Sequence, residues 1–481
     1  MESNLALWIS FIVYTVGIIT VGLYSSRLRR KTSDDFVLAS RELGPWASAL
    51  SASASSESGW VMLGLVGEAF VFGWATMWIV PGIAAGYLFN WFVLAERLRK
   101  STQQSGAVTL PQFICHRFGP DSKALRGIAV LIIFAAMLGY VAAQMNAAGK
   151  AFEAVFSLPY WIGVLAGAGI ILTYTITGGF RAICWTDIVQ ATFMVIALIG
   201  MPIILLIHMG GYEPISAAIA AENPELLTFS GGRTGFALLG FVIGMLGIGL
   251  GYPGQPHVLS RFMAARDSEA VKRAGRIAFV WFIFVYSGAI FFGVASRAYF
   301  GDLADPEQAL PLALGQLLPP LLAGFVIAAI VSAICSTADS QLIVVSSSLS
   351  RDILTWTRRK ETGRDWGRFL RVDRLMLVLL ALISVIFALT ENRVIFEFVL
   401  YAWAALGAGF GPVVILGLLW KRANKAGAIA GMLTGLITTV IWRNVPVLKS
   451  ALYELVPAFV LAFLAVVLVS LVTQRSGKER T

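Results

Sequence analysis

Two stretches of this chain place hydroxyl groups inside apolar surroundings. The first is LSASASSESGW at 50–60, with five serines, Glu57 and Gly59. The second is AICSTADSQLIVVSSS at 333–348, where Ser336, Thr337, Asp339, Ser340 and Gln341 follow closely. Hydroxyl oxygens, and backbone carbonyls freed where a helix breaks, are neutral hard ligands of the kind a monovalent cation such as Na⁺ accepts. A third stretch, GIGLGYPGQPH at 247–257, carries four glycines and two prolines. Its helix should unwind there. The three cysteines, Cys115, Cys184 and Cys335, show no paired spacing that would suggest a disulfide framework or a zinc site.

The surroundings decide what these groups can do. Of 481 residues, 58% are hydrophobic and only 13% charged, and the mean hydropathy is +0.78. Soluble domains average about 45–50% apolar and about 25% charged. The composition therefore describes an all-α polytopic membrane protein, and it excludes a soluble enzyme and a secreted scaffold. A spanning helix takes about 20 apolar residues. About thirteen segments qualify: 5–25, 45–72, 74–96, 124–149, 158–177, 185–208, 233–256, 275–299, 316–350, 373–390, 394–420, 424–443 and 451–473. The chain reads as one transmembrane domain, 1–481, with loops too short for an appended soluble module.

The net charge of +10 is explained by orientation. With the amino terminus outside and the carboxyl terminus inside, all but six of the 37 Lys and Arg fall on cytoplasmic loops or the cytoplasmic tail. The six are Lys150, Arg233, Arg297, Arg393, Arg443 and Lys449. Nucleic-acid binding is not needed. The first apolar run lacks a basic segment before it, so it reads as a retained span rather than a cleaved signal. No GxxxxGK[ST] loop is present, so the driving force is expected to be a gradient rather than ATP.

Irregular backbone at membrane depth is tolerated where it lines a cavity or is buried in protein. Small residues also serve close helix packing, which is the competing explanation for either glycine- or serine-rich stretch alone. Here two interrupted spans lie five spans apart, as in transporters built from inverted repeats with a midplane site. The expected repeats are 45–209 and 233–420, a five-plus-five core, with 5–25 and 424–473 peripheral. Asp339, an intramembrane carboxylate, is a site residue on cost alone, about 2.5–3.5 kcal/mol by insertion scales. A buried Asp satisfied by neighbouring hydroxyls is the alternative.

At these residues the chain resembles the sodium/solute symporter family, nearest its sodium/proline branch. The resemblance covers about 5–470. It rests on ASRELGPWASALSASASSESGWVMLGLVG (39–67), ITGGFRAICWTDIVQA (176–191), GLGYPGQPHVLSRFMAA (249–265), CSTADSQLIVVSSS (335–348) and YAWAALGAGFGPVVILGLLWKR (401–422). It implies Na⁺-coupled uptake of a small amino acid, with L-proline first, by alternating access at the cell membrane. Partners would be the solute and the bilayer, with no obligatory protein partner. Carried over by position, the resemblance implies a Na⁺ site of the Ala54, Glu57 and Ala333 carbonyls with the Ser336 and Thr337 hydroxyls. It implies a solute site of Ser58, Gly59, Trp60, Tyr140, Tyr252 and Pro256. Broken-helix N–H groups suit a carboxylate, and aromatic faces suit a pyrrolidinium ring.

The chain departs from that branch at three positions. Ser56 stands where the branch has an aspartate linked to coupling, Glu57 where it has a methionine, and Ile248 where it has a pocket tryptophan. Ser56, Asp187 and Asp339 are therefore coupling candidates. Asp187 also suits a helix cap at a membrane boundary. Proton coupling through Glu57 or Asp339, a different small amino or carboxylic acid, and a solute sensor remain as alternatives. The three histidines, His116, His208 and His257, read as structural, and Arg41 and Arg117 as ordinary inner-face basics.

Overall fold

The computed structural model describes residues 2–27, 33–120, 122–353, 366–390 and 394–478. Arg29, Arg30, Lys31, Arg358, Arg359, Lys360, Arg364, Arg393 and Arg480, counted above for orientation, lie outside the described residues. Helices dominate, and among the described residues the only β pairing is an isolated bridge between Leu43 and Ala265. In helix order, α1 is Glu2–Arg27, α2 Pro45–Ser56, α3 Val66–Phe72, α4 Ile79–Leu88, α5 Lys123–Phe156, α6 Tyr160–His208 and α7 Gly235–Gly247. Then come α8 Pro256–Ala264, α9 Ser268–Phe300, α10 Pro320–Ser347, α11 Trp366–Thr390, α12 Ile395–Leu419, α13 Lys425–Asn444 and α14 Leu455–Lys478.

Among the described residues, eleven helical stretches are long and apolar enough to cross a membrane. The difference from the expected thirteen falls at two of them. Trp60–Ser105 has 46 residues and Tyr160–His208 has 49, which at about 1.5 Å per residue is roughly 70 Å of helix. Each contains a glycine at positive φ, Gly73 at 61° and Gly179 at 62°. At Gly179 an added Cβ would meet the Phe36 ring at 2.6 Å. A side chain is thus excluded twice there, by conformation and by space. The expected boundary between 158–177 and 185–208 falls at this turn.

The two expected breaks are present. α2 ends at Ser56, and Glu57 leaves helical geometry at φ −112°, ψ 68°. A wide helical turn, Trp60–Leu65, then leads into α3. In the second break, α7 tightens into a 3₁₀ stretch over Ile248–Gly254, and the chain turns extended at Gln255 before α8. The carbonyls this exposes are met by side chains. Asn90 Nδ2 donates to Tyr252 O at 3.2 Å, Gln255 Nε2 to Gly251 O at 3.2 Å, and Trp403 Nε1 to Ile248 O at 3.0 Å. Buried carbonyls need such partners.

Packing brings both breaks to the centre. α2 lies against α6, α8, α9 and α10, while the 248–254 stretch lies against α4 and α12. α13 and α14 pair with each other and rest on α12, and α1 rests on α6 and α10. Contact at the second break is backbone to backbone. A Cβ on Gly249 would sit 1.9 Å from Gly82 O, and one on Gly86 2.3 Å from Gly249 O.

Candidate functional site

The serine-rich end of α2 meets the middle of α10. Ser336 Oγ donates to Ala54 O at 2.9 Å and to Ala333 O at 3.1 Å. Thr337 Oγ1 donates to Ser55 O at 3.0 Å and to Ala54 O at 3.3 Å. All of these residues are fully buried. Four of the five expected Na⁺ ligands, Ala54, Ala333, Ser336 and Thr337, thus share one knot of hydrogen bonds. Their oxygens are neutral, and among the described residues no group of three or more His, Cys, Asp and Glu could hold a metal ion. That donor set suits a hard monovalent cation, with the hydroxyl protons free to rotate away. The fifth, Glu57, caps α2. Its N–H bonds Ser53 O at 2.9 Å. Its carboxylate turns the other way, where Tyr87 donates to Oε1, and Oε2 has no partner.

A second enclosure lies where the two breaks face each other. Ser56, Trp60, Tyr140, Ile248 and Tyr252 line it, together with Ile83, Val399, Leu400 and Trp403. Its walls are largely aromatic. Trp60 stacks on Phe396 at 5.8 Å between ring centroids, Tyr252 stands edge-on to Trp403 at 4.9 Å, and the Tyr252 and Tyr286 hydroxyls are 3.3 Å apart. Trp60 Nε1 is buried without a hydrogen-bond partner, a donor available to a ligand. The enclosed space is ≈ 10 Å³, near the threshold for one water. A solute of amino-acid size enters only if these walls move apart.

Three expected solute residues stand elsewhere. Ser58 and Gly59 are buried at the break, and two of the N–H groups there are already engaged. Gly59 N donates to Gln144 Oε1 and Trp60 N to Ser58 Oγ, both at 3.0 Å. Pro256 heads α8 and lines a separate space with Ser260, Met263, Ile343 and Ser347.

Two of the three coupling candidates, Asp187 and Asp339, belong to a larger buried network whose centre is Arg261. The charge pattern places that residue among the basics of the cytoplasmic loops. Instead it lies on α8, fully buried. Its Nη2 donates to Asp187 Oδ2 at 3.2 Å, its Nε to Ser51 Oγ at 3.0 Å, and its Nη1 to the His257 carbonyl at 2.8 Å. Nη2 also reaches Ser340 Oγ at 2.5 Å. Ser51 in turn donates to Asp187 Oδ2 at 2.6 Å. Asp339 accepts from Tyr174 at 2.6 Å and from Ser340 at 3.1 Å. Ser340 and Ser55 share a 3.0 Å hydrogen bond, which joins this network to the Ala54–Thr337 knot. Asp187 is thus a buried partner of Arg261 rather than a helix cap.

Ser56 is set apart from that network. It bonds Ser53 O at 3.0 Å and the Tyr87 hydroxyl at 3.3 Å. His257 is buried with both ring nitrogens unpartnered. Arg41 and Arg117, read from the sequence as ordinary inner-face basics, bind backbone carbonyls. Arg41 ties Thr102, Ala107 and Met263 together, and Arg117 caps α12 through the carbonyls of Gly417 and Trp420.

Sequence reasoning missed Arg261, Gln144, Tyr87 and Trp403. A signal existed for the first: HVLSRFM places Arg261 four residues after His257, so both lie on one face of a short apolar helix.

Comparison with known proteins agrees with this architecture. The family model for the sodium:solute symporter family matches residues 36–435. The chain is 38% identical to the high-affinity proline transporter PutP of Bacillus subtilis, covering 95% of this chain and 96% of that one. It is 37% identical to the sodium/proline symporter of Escherichia coli, covering 98% and 94% respectively. It is 36% identical to the osmoregulated proline transporter OpuE of Bacillus subtilis, covering 98% and 95%. Among solved structures, a Na⁺-coupled sialic acid symporter superposes at a TM-score of 0.80, with 18% identity over 97% of this chain and 98% of that one. That likeness shows the shared fold.

Proposed function

This chain belongs to the sodium:solute symporter family, and on that premise we propose that it is a multi-pass cell-membrane symporter that uses Na⁺ influx to take up L-proline. It is a transporter and not an enzyme. The observation that carries the ion reading is the junction of Ala54 with Ser336 and Thr337, which unites the broken α2 with α10 through neutral oxygens alone. A cation there would bind the two helices together, so ion binding and the relative position of α2 and α10 are linked. The proline reading is supported by relatives over nearly the whole chain and by the small aromatic enclosure of Trp60, Tyr140, Tyr252 and Trp403. An aromatic wall favours a secondary ammonium both by contact and by cation–π attraction.

The scheme has two inverted repeats, 45–209 and 233–420, rocking about the paired breaks, with the amino terminus outside. Na⁺ sits on Ala54, Ala333, Ser336 and Thr337, with the Glu57 carbonyl completing the set, and stabilises the outward-facing arrangement. Proline then seats between Trp60, Tyr140 and Tyr252. Ile248 sets the size limit of the enclosure, Ser58 and Gly59 hold the turn beside it, and Pro256 starts α8 outside it. Asp187 and Asp339, tied to Arg261, hold the inner end of the ion path, and Ser56 with Tyr87 holds the turn at Glu57. No protein partner is required. The energetics suffice: one charge crossing about 100 mV yields about 2.3 kcal/mol, and a tenfold ion gradient about 1.4 kcal/mol.

The test is uptake of radiolabelled L-proline by liposomes containing the purified protein. An inward Na⁺ gradient, an inward H⁺ gradient and no gradient are compared. Accumulation with Na⁺ alone is expected. Accumulation driven by H⁺ would replace the ion reading and move attention to Glu57 and Asp339. No proline uptake under any gradient, from folded protein, would replace the solute.

A further inference from the structure

Pro256 lines a small closed space of ≈ 20 Å³, about the room of one water. One wall is α8, where Pro256, Ser260 and Met263 follow at helical spacing. The facing wall is the end of α10, with Val344, and then Ser348, which opens the wide helical turn Ser348–Ile353. Val37, Thr109 and Leu110 close the third side. Those three belong to the basic segments 26–44 and 97–126, which the charge pattern assigns to the cytoplasm. Because α8 leaves directly from the second break, the space lies between the aromatic enclosure and the cytoplasm.

Its floor is latched. Thr109 Oγ1 donates to Asp352 Oδ2 at 2.8 Å, and Asp352 belongs to the same wide turn as Ser348. Thr109 also caps the helix Leu110–Phe118, accepting from Gln112 N at 3.2 Å. One hydroxyl thus ties together two segments that must part if the space is to open inward. Wide turns of this kind are frequent at functional sites.

Three buried polar atoms on the α10 side are unmet. Ser260 and Ser347 spend their hydroxyls on the carbonyls of His257 at 2.7 Å and Ile343 at 2.5 Å. Ser348 Oγ, in a residue 1% exposed, has no hydrogen-bond partner among the described residues. Gln341 is fully buried, and neither its Oε1 nor its Nε2 has one. Gln341 follows Thr337 by four residues and precedes Val344 by three and Ser348 by seven, so all four share one face of α10. That face runs from the Ala54–Thr337 knot to the closed space.

A buried group without a partner carries its full desolvation cost, and such a group in the wall of a space points to a ligand that completes it. A carboxamide presents two N–H donors and an acceptor oxygen side by side. Its complement is a carboxylate and an ammonium held on one carbon, as in an amino acid. We propose that this space is the closed inner half of the solute path, and that Gln341 with Ser348 forms a release station for the zwitterionic solute. The solute reaches it after leaving Trp60, Tyr140 and Tyr252. Gln341 Nε2 donates to the carboxylate, Oε1 accepts from the amine, and separation of Thr109 from Asp352 lets the solute pass into the cytoplasm. The proposal rests on the reading of the chain as a proline symporter.

The test compares the two faces of the full-length protein. Radiolabelled L-proline uptake, driven by a Na⁺ gradient into the vesicle, is measured in right-side-out and inside-out membrane vesicles from the same expressing cells. Gln341→Leu removes both hydrogen-bonding groups at similar size. It should raise KM in inside-out vesicles about tenfold, equivalent to about 1.4 kcal/mol, and move KM in right-side-out vesicles much less. In detergent it should melt at or above the wild-type temperature, because unmet polar groups have been removed. Ser348→Cys gives a second reading, against the wild type with its three buried cysteines. A membrane-impermeant thiol reagent should label it in inside-out vesicles, faster without Na⁺ than with it. A Gln341→Leu variant that melts clearly lower, or whose KM is unchanged or altered equally on both faces, makes the carboxamide structural and overturns the release station. So does a Ser348→Cys variant that no reagent reaches from the cytoplasmic side. A wild type that accumulates no proline in either vesicle overturns the function reading instead, which separates the two failures.

Discussion

Arg261 Nη2 donates to Asp187 Oδ2 across 3.2 Å, and neither side chain has any exposed surface. The pair joins α8, which follows the second break, to the part of α6 that follows the turn at Gly179. Ser51 of α2 bonds both members, and Ser340 of α10 bonds Arg261. Four helices therefore converge on one guanidinium. Its charge is balanced locally by Asp187 and spread over the face of Phe180, 4.8 Å away. An arginine suits this role because its planar fork serves several acceptors at once without losing charge.

Removing one member of a buried pair leaves the other charged and unpaired, at a cost of about 3–5 kcal/mol. Arg261→Met is therefore expected to melt at a clearly lower temperature than wild type in the same detergent, read by intrinsic fluorescence. Asp187→Asn should also be destabilised. The double variant Arg261→Met with Asp187→Asn should recover part of the loss, because no charge is stranded. An unchanged melting temperature for Arg261→Met would show that the pair contributes nothing in the folded protein.

The hydroxyls of Ser336 and Thr337 enter the scheme as ion ligands, and their removal has a specific signature. Ser336→Ala deletes one neutral oxygen, and the Na⁺ concentration for half-maximal uptake should rise about tenfold, as expected for about 1.4 kcal/mol. Ser336→Ala with Thr337→Ala should abolish Na⁺-stimulated uptake from protein that still reaches the membrane. Thr337→Ser keeps the oxygen and should remain close to wild type. A double alanine variant with unaltered Na⁺ dependence would remove these residues from the ion path.

Much of this was legible from residue types. Hydropathy revealed the helical membrane class, and the two breaks followed from serine, glycine and proline placed where an apolar helix should run. Ala54, Ala333, Ser336 and Thr337 do come together. The remainder depended on distances between parts of the chain that no local pattern encodes. Arg261 looked like one more basic residue after an apolar run. Its acid partner is 74 positions away, on a helix whose face was not predictable. The same holds for Gln144, which takes the Gly59 N–H from 85 positions away. Pro256 was grouped with the solute residues by position in a motif, yet the turn at Gln255 carries it to a different space. The long helix α6 read as two spans because hydropathy dips at its polar middle, where helical geometry is interrupted at the single residue Gly179.

Glu57 discriminates between sodium and proton coupling. Its Oε1 accepts from Tyr87, which also bonds Ser53 and Ser56. In this position the side chain fastens the turn between α2 and the Trp60 segment. Glu57→Gln keeps an acceptor for Tyr87 and loses only the ability to carry a proton. Its proline uptake should remain driven by Na⁺, whereas Glu57→Ala, which removes the link between Tyr87 and this turn, should lose most of it. Uptake in the wild type that follows an H⁺ gradient, and that Glu57→Gln eliminates, would make this carboxylate the coupling group.

Gly249 tests whether the contact between the second break and α4 matters for transport. A methyl group there would lie 1.9 Å from Gly82 O and 2.5 Å from Gly82 C. Those are backbone atoms, so no rotamer change relieves the clash. The two segments must separate instead, opening a gap among well-packed neighbours. Gly249→Ala is expected to melt lower than wild type and to lose most proline uptake. The matched control is Gly127→Ala on α5, where nothing lies within 4 Å of the added carbon. There the same substitution stiffens the unfolded chain and should leave stability equal or higher, by about 0.4–1 kcal/mol, with uptake unchanged. Comparable uptake in the two variants would mean that the 248–254 stretch stands away from α4 during transport, and that close contact at Gly82 and Gly249 is dispensable.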